Sequence, residues 1–175
     1  MAQDESELPT PAPVPDAILA AIQRQREAGE DESDTRDRIP YLGFFLGEEI
    51  YGLPLQQLRE VSRLTRLRRI PGAPAGVAGL VNLRGEIVCA LDARAILGLP
   101  GDDAAESGYL LALRGFADPL GLVVDSIADI YAIDPEEIEP PPATWSADRA
   151  VYFQGTARVA EGLMGLLDLD RLVKV

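Results

Sequence analysis

A chain of 175 residues is long enough for one domain or for two small subdomains, and its 47% apolar content predicts a substantial hydrophobic interior. The formal net charge of −13 argues against a nucleic-acid surface, because phosphate binding requires a basic field. The chain contains no histidine, which removes the commonest general base and the commonest metal ligand. We therefore expect a binding role rather than catalysis, with neither a metal nor a cofactor.

The sequence suggests neither a secretory signal nor membrane insertion. The first ten residues, MAQDESELPT, are acidic, whereas a signal peptide combines a basic start with an apolar centre. No apolar stretch approaches the ~20 residues that cross a bilayer. We therefore expect a cytoplasmic protein. Its single cysteine, Cys89, occurs in an apolar strand pattern and is expected to be a buried small residue.

The N-terminal extension, residues 1–38, differs in composition from the rest of the chain. It holds ten acidic residues, four arginines and the run PTPAPVP, so we expect it to be largely disordered. Residues 16–28 nevertheless have the pattern of a short helix. One face of that helix would carry three apolar residues: Ile18, Leu19 and Ile22. Two interpretations are open, a transient helix in a tail or a helix that docks on the body or on a partner.

The body, residues 39–175, begins with a predicted β-hairpin. Apolar runs at 41–46 and 50–54 are joined by the polar turn Gly-Glu-Glu. A short helical turn is predicted over residues 55–61, because apolar residues recur there at a spacing of three. Residues 61–69 are expected to form a strand or a strand-like edge, after which prolines and glycines interrupt the chain.

A second hairpin is predicted within residues 79–99, GLVNLRGEIVCALDARAILGL. Two apolar runs flank the charged tripeptide Arg-Gly-Glu at 84–86, and its glycine permits the backbone angles of a tight turn. Asp92 is a suitable cap for a short helix that follows. Residues 99–108, LPGDDAAESG, are expected to form an acidic surface loop that divides the body into two halves.

The second half repeats the pattern of short apolar runs. Its predicted strands lie within 109–115, 120–127, 129–133, 151–155 and 162–173. Asp134 is expected to cap a short turn, and a final turn is expected to open at Asp168 or Asp170. About nine short strands with turns every 8 to 12 residues predict an all-β fold with a few short helices, arranged as a sandwich or as paired barrels.

Several short motifs occur in a fixed order along the body: Ile70-Pro71, Pro74, Gly79-Leu-Val-Asn-Leu-Arg-Gly85, Ile87–Leu91, Asp92-Ala-Arg94 and Gly121-Leu-Val-Val-Asp125. Together they resemble the signature of the CheW-like coupling (adaptor) domain of bacterial chemotaxis. The resemblance covers roughly residues 40–174. It implies two small five-stranded β-barrel subdomains that are intertwined and share a hydrophobic core.

The resemblance also implies a function and partners. It implies a non-catalytic adaptor that links the cytoplasmic tips of chemoreceptors, the methyl-accepting chemotaxis proteins, to the regulatory domain of a CheA-type histidine kinase. Such a protein would associate with the inner membrane only through receptor arrays. Two alternatives stay open: the same fold in a motility or gene-regulatory pathway, and a small anion-binding β-barrel enzyme.

Arg84 is the residue that we most expect to contact a partner. Its turn would fix the backbone, and a guanidinium group can hold a carboxylate through two hydrogen bonds. By resemblance, Arg84 lies near the receptor-binding groove and pairs with Glu60. The same resemblance assigns five further receptor- or kinase-binding positions: Leu58, Asn82, Gly85, Ile87 and Gly121. From the residues alone, Arg84 is also compatible with a solvated turn residue or a purely structural ion pair.

Overall fold

The computed structural model describes residues 13–27, 38–101 and 107–174. Its helices are α1 (Asp16–Glu27), α2 (Ala93–Ile96), α3 (Ala147–Ala150) and α4 (Leu169–Leu172). Its strands are β1 (Ile39–Leu46), β2 (Glu49–Pro54), β3 (Leu58–Arg63), β4 (Val77–Leu83), β5 (Glu86–Asp92), β6 (Tyr109–Leu113), β7 (Leu120–Val124), β8 (Ser126–Ile133), β9 (Phe153–Val159) and β10 (Gly162–Leu167).

The strands form two five-stranded sheets. The first sheet has the order β8-β1-β2-β10-β9, and the second has the order β3-β6-β7-β5-β4. Neighbouring strands are antiparallel except for two parallel pairs, β2 with β10 and β5 with β7. These parallel pairs join strands that are far apart in sequence. The predicted all-β class, with two units of five strands and a few short helices, is confirmed.

The implied closure of each sheet into a barrel needs correction. No ladder joins the edge strands β3 and β4 in the described part of the chain, nor β8 and β9. A single bridge, between Arg68 and Leu80, links the segment after β3 to β4, and another, between Glu139 and Thr156, links the segment after β8 to β9. Prolines follow both bridging segments, and a residue without an N–H group cannot extend a ladder. Each sheet is therefore curled but open.

The two sheets share one hydrophobic core, as predicted. Its main cluster joins Phe44 of the first sheet to Leu111 of the second, while the other face of each sheet packs in a smaller cluster of its own. Leu110 and Leu111 are both fully buried but belong to different clusters, because successive side chains of a strand point to opposite faces. Burial on both faces explains the continuous apolar runs in the sequence.

The segment from residue 55 to residue 63 differs from the predicted helical turn. A 3₁₀ turn covers only Leu55–Gln57, and β3 follows at once. A bulge in β3 between Leu58 and Glu60 inserts an extra residue into the pairing with β6. The bulge lets Leu58 and Val61 face the same cluster although they are three positions apart. A spacing of three between apolar residues is also typical of a helix, which is why the sequence predicts a helical turn here.

Two smaller expectations also change. α3 was not predicted, because a single turn capped by Ser146 has no apolar periodicity to reveal it. Cys89 is half-buried rather than buried, and its partial burial raises the pKa of the thiol.

The caps expected at Asp92, Asp134 and Asp168 are present. Each side chain accepts a hydrogen bond from a backbone N–H group two or three residues later.

α1 packs on the body. Ile18 and Ile22 are 3% and 4% exposed and belong to the shared core cluster, whereas Leu19 is 38% exposed. Of the two interpretations left open by the sequence, the structure therefore favours a helix docked on the body. Residues 1–12 and 28–37, and most of the acidic loop at 102–106, lie outside the described residues, so their predicted character stays a prediction.

Removal of residues 1–38 is expected to leave a folded body that is less stable than the full chain. The deletion exposes the core surface under Ile18 and Ile22 but also removes the entropy cost of ordering a helix, so we expect a net loss of about 1–3 kcal/mol. Thermal unfolding followed by circular dichroism measures the change. Loss of a cooperative transition would show that the domain does not begin near residue 39.

Candidate partner-binding site

The turn between β4 and β5 holds Arg84 in a defined backbone conformation. Leu83 pairs with Glu86, so Arg84 and Gly85 form a two-residue loop. Their φ angles are +52° and +86°, as a type I′ turn requires. The Oδ1 atom of Asn82 accepts a hydrogen bond of 2.9 Å from the Gly85 N–H group. The turn thus projects the Arg84 side chain, which is 82% exposed, into solvent.

Two ion pairs connect this turn to β3, at the opposite edge of the same sheet. The Nε atom of Arg84 lies 3.3 Å from Oε1 of Glu60, and Nη2 of Arg59 lies 2.7 Å from Oε2 of Glu86. These side chains span the gap between β3 and β4 that no ladder closes. The Arg84–Glu60 pair implied by the family resemblance is present in the structure.

A cleft of 260 Å³ lies beside the ion pairs. It is lined by Leu19, Ile22, Gln23, Arg59, Glu60, Val61 and Arg84. Apolar side chains from α1 and β3 thus meet charged groups from the two ion pairs. A pocket with this mixture suits a partner helix that presents apolar residues beside a carboxylate.

Ile87 and Asn82 lie at a second cleft on the same hairpin. This cleft has a volume of 530 Å³ and is lined by Arg66, Arg68, Leu80, Val81, Asn82 and Ile87. The side chain of Ile87 is 54% exposed, the largest exposed fraction among the large hydrophobic residues of the described part of the chain. Both residues are accessible to a partner, although Asn82 already has a structural task in the turn.

Leu58 and Gly121 lie in the interior. Leu58 is 1% exposed, and a Cβ atom at Gly121 would lie only 2.6 Å from Cδ1 of Leu110. Gly121 therefore allows close packing between β7 and the side chains of neighbouring strands. Neither residue is exposed at the surface of the molecule. Their contribution to binding stays a prediction. Such a contribution would be indirect, because these residues influence the shape of the sheet that carries the exposed residues.

The structure also reveals an ion pair that the sequence did not single out. Arg94 of α2 donates through Nε to both carboxylate oxygens of Asp125, each at 3.2 Å, and a further Arg94 nitrogen binds the same carboxylate. Asp125 also accepts the Gly47 N–H group at 2.6 Å. The hydrogen bond to Asp125 raises the pKa of Arg94. Both residues occur in the family-like motifs, but 31 positions separate them, so local spacing could not reveal the pair.

A further polar cluster surrounds Tyr51 in the first sheet. The Tyr51 hydroxyl donates to Glu49, and Nη2 of Arg149 lies 2.7 Å from both the Glu49 carboxylate and the Tyr51 oxygen. The Arg149 guanidinium also lies 4.6 Å from the ring centre of Trp145. Burial, followed by the hydrogen bond to Glu49, raises the pKa of Tyr51 far above its usual value.

Stability is therefore expected to decline as the pH rises above about 10. A tyrosine in the unfolded chain loses its proton near pH 10, while Tyr51 in the folded chain retains its proton to higher pH. Its contribution is complete below the unfolded pKa and is lost as the pH rises towards the folded one. Urea unfolding between pH 8 and pH 11 measures this slope. We expect Tyr51→Phe to flatten the slope more than Tyr152→Phe, whose ring lies outside this cluster.

The described residues contain no group of three or more acidic, cysteine or histidine side chains placed to hold a metal ion. No helix in this part of the chain is long and apolar enough to cross a membrane. The described residues thus present two sheets around one core and an exposed ionic turn, formed by Arg84 and its partner Glu60, at a cleft of mixed polarity. The comparisons with known proteins identify which class of binding domain this is.

Residues 40–175 match the family model of the CheW-like domain. The chain is 29% identical over 133 residues to the chemotaxis protein CheW of Klebsiella aerogenes, covering 76% of this chain and 80% of that protein. It is 33% identical over 141 residues to CheW of Treponema pallidum, covering 78% and 82%. The crystal structure of the scaffolding protein TtCheW from Thermoanaerobacter tengcongensis superposes with a TM-score of 0.72 and 25% identity, covering 83% of this chain and 94% of that one.

The chain belongs to the CheW-like family. The family resemblance, the all-β fold with its shared core and the role of a chemotaxis adaptor are confirmed by these matches.

Proposed function

We propose that the chain, without catalysing a reaction itself, couples the cytoplasmic tips of chemoreceptors to a CheA-type histidine kinase. The observation that carries this proposal is the turn at Arg84: its side chain is 82% exposed on a fixed loop and is paired with Glu60 at a cleft that combines apolar and charged side chains. A receptor helix with a carboxylate next to apolar side chains would bind both features at once.

The kinase is proposed to bind elsewhere on the molecule, through its regulatory domain at the ends of the two sheets. Two separate faces allow one molecule to hold both partners. An interface that binds one receptor state better than another then shifts the activity of the kinase by the difference in binding free energy. Repetition of weak contacts in an array supplies avidity. The chain would act in the cytoplasm, next to the inner membrane through the receptors.

Reconstitution tests this function directly. Receptor-containing membranes and a CheA-type kinase from the same genome are mixed with and without the full chain. We expect the kinase to sediment with the membranes, and its autophosphorylation to rise, only when the chain is present. Equal sedimentation without the chain would contradict the coupling role. Binding only to the partners of a motility or gene-regulatory system would assign the chain to that pathway.

Ile87→Ser is expected to weaken partner binding about five- to tenfold without loss of stability. The side chain is 54% exposed, so its truncation removes apolar contact area but leaves no cavity in the core. Isothermal titration with the receptor tip fragment and with the kinase regulatory domain shows which partner is affected. Leu163→Ser, an exposed leucine of the other sheet, is the matched control. Unchanged affinity for both partners would remove Ile87 from the site.

A further inference from the structure

A helix of the chain itself covers part of the proposed partner site. α1 lies against β3 and against the 3₁₀ turn that precedes it. Its Ile18 and Ile22 side chains enter the core cluster that contains Leu58 and Val61. β3 also carries Glu60, so one strand serves both the docked helix and the ionic turn.

α1 and the ionic turn line the same cleft. Leu19, Ile22 and Gln23 contribute from α1, while Glu60 and Arg84 contribute from the sheet. Leu19 is 38% exposed at this position although it is a leucine on a docked helix. A partner that reaches Arg84 through the cleft therefore meets α1.

Few buried side chains hold α1 on the body. The helix has 12 residues, a length at which isolated helices are marginal in water. It therefore depends on its packing against β3 and the 3₁₀ turn to remain folded. Among its described side chains only Ile18 and Ile22 are buried. Residues 28–37, AGEDESDTRD, connect it to the body and offer five acids but only one apolar side chain, an alanine. Little apolar contact area therefore opposes release of the helix.

We propose that α1 occupies the groove that accepts an amphipathic receptor helix, and that receptor binding displaces α1. This groove is the surface of β3 and the preceding 3₁₀ turn on which α1 packs. The inference rests on the proposed function of the Arg84 cleft. Ile18, Ala21 and Ile22 of α1 form an apolar stripe against the core, with the spacing that a helix lying in a groove presents. Val14, just before the helix begins, packs against the same cluster. Two helices cannot fill one groove, so the apparent affinity for the receptor equals the intrinsic affinity multiplied by the fraction of molecules with α1 released.

The double variant Ile18→Asp/Ile22→Asp in the full chain tests the exchange, because buried carboxylates prevent docking of α1. The probe is the cytoplasmic tip fragment of a chemoreceptor from the same genome, titrated by fluorescence anisotropy. We expect affinity to rise about five- to tenfold. Ala17→Asp/Ala20→Asp, which adds the same charge to the exposed face, should bind like the wild type. Equal or weaker binding by a folded Ile18→Asp/Ile22→Asp variant would overturn the proposal.

Hydrogen exchange on the unmodified chain provides a second test that does not depend on the fold of a variant. Saturation with the tip fragment should accelerate exchange of the α1 amides while it slows exchange in β3. Slower or unchanged exchange in α1 would show that the helix is a fixed part of the site. A wild-type chain that binds no tip fragment would instead refute the proposed function itself.

A synthetic peptide of residues 13–27 separates these outcomes further. Added to the Ile18→Asp/Ile22→Asp variant, it should occupy the vacated groove and return the affinity for the tip fragment to the wild-type value. A peptide that binds the variant without competing would show that the groove and the receptor site are different surfaces, which contradicts the exchange.

Discussion

Charge reversal of Arg84 to glutamate is expected to lower the affinity for the receptor tip by at least about tenfold and to prevent co-sedimentation of receptor and kinase. The new carboxylate would face Glu60 and would repel an acidic group on the partner, so an attractive contact becomes a repulsive one. The fold should be almost unaffected. Arg84 is 82% exposed, and ion pairs this accessible contribute about 0–1 kcal/mol to stability.

Binding and stability are measured on the same preparation, by co-sedimentation with receptor membranes and by thermal unfolding. Arg158→Glu is the matched control, because Arg158 is an exposed arginine on β9 of the other sheet. Normal assembly with Arg84→Glu would show that the turn does not recognise a partner. A large fall in the midpoint temperature would assign Arg84 a structural role instead.

Asp125→Ala is expected to cause the largest loss of stability among exposed or half-buried charges of this chain, about 2–3 kcal/mol. The carboxylate binds Arg94 through both oxygens and also accepts the Gly47 N–H group, so its removal leaves two partners unsatisfied. Only 25% of the Arg94 side chain and 28% of the Asp125 side chain are exposed, so solvent compensates for little of that loss. For a chain of this size the midpoint temperature should fall by about 4–12 °C.

Thermal and urea unfolding measure this effect, with Asp129→Ala as the control. Asp129 is exposed, and among the described residues its side chain accepts a hydrogen bond from the adjacent Ile130 N–H group alone, so its removal should change stability by less than about 0.5 kcal/mol. Asp125→Asn should fall between the two, since an amide retains an acceptor for Gly47 but loses the charge. Equal stability of Asp125→Ala and wild type would show that the pair does not hold the sheets together.

The Arg84–Glu60 and Arg94–Asp125 ion pairs differ in how far their arginine side chains are exposed to solvent. The Arg84–Glu60 pair holds an arginine head group in solvent at the gap between two sheet edges, where it is available to a partner. The Arg94–Asp125 pair is mostly enclosed and connects α2, which follows the second sheet's β5, to the β1–β2 turn of the first sheet through Gly47. Exposure, rather than charge, distinguishes the recognition role from the architectural one.

Local features of the site were predictable because neighbouring residues create them. The hairpin with Arg84 and Gly85 at its tip follows from two apolar runs around a glycine, and the caps at Asp92 and Asp134 follow from the residues next to them. The helical turn predicted over residues 55–61 is wrong for a local reason as well, since most of this segment belongs to β3. A bulge places Leu58 and Val61 on one side of the strand, and the resulting spacing of three is that of a helix.

The sequence by itself determined the all-β class, the strand-rich body, the turn that carries Arg84 and the family to which the chain belongs. Only the tertiary structure decided that the sheets stay open, that Arg94 pairs with Asp125, that Gly121 is interior and that α1 docks beside the cleft. The physical reason is that strand order and side-chain exposure depend on contacts between distant segments. Periodicity reports which face of a segment is apolar, but it does not report which other segment covers that face.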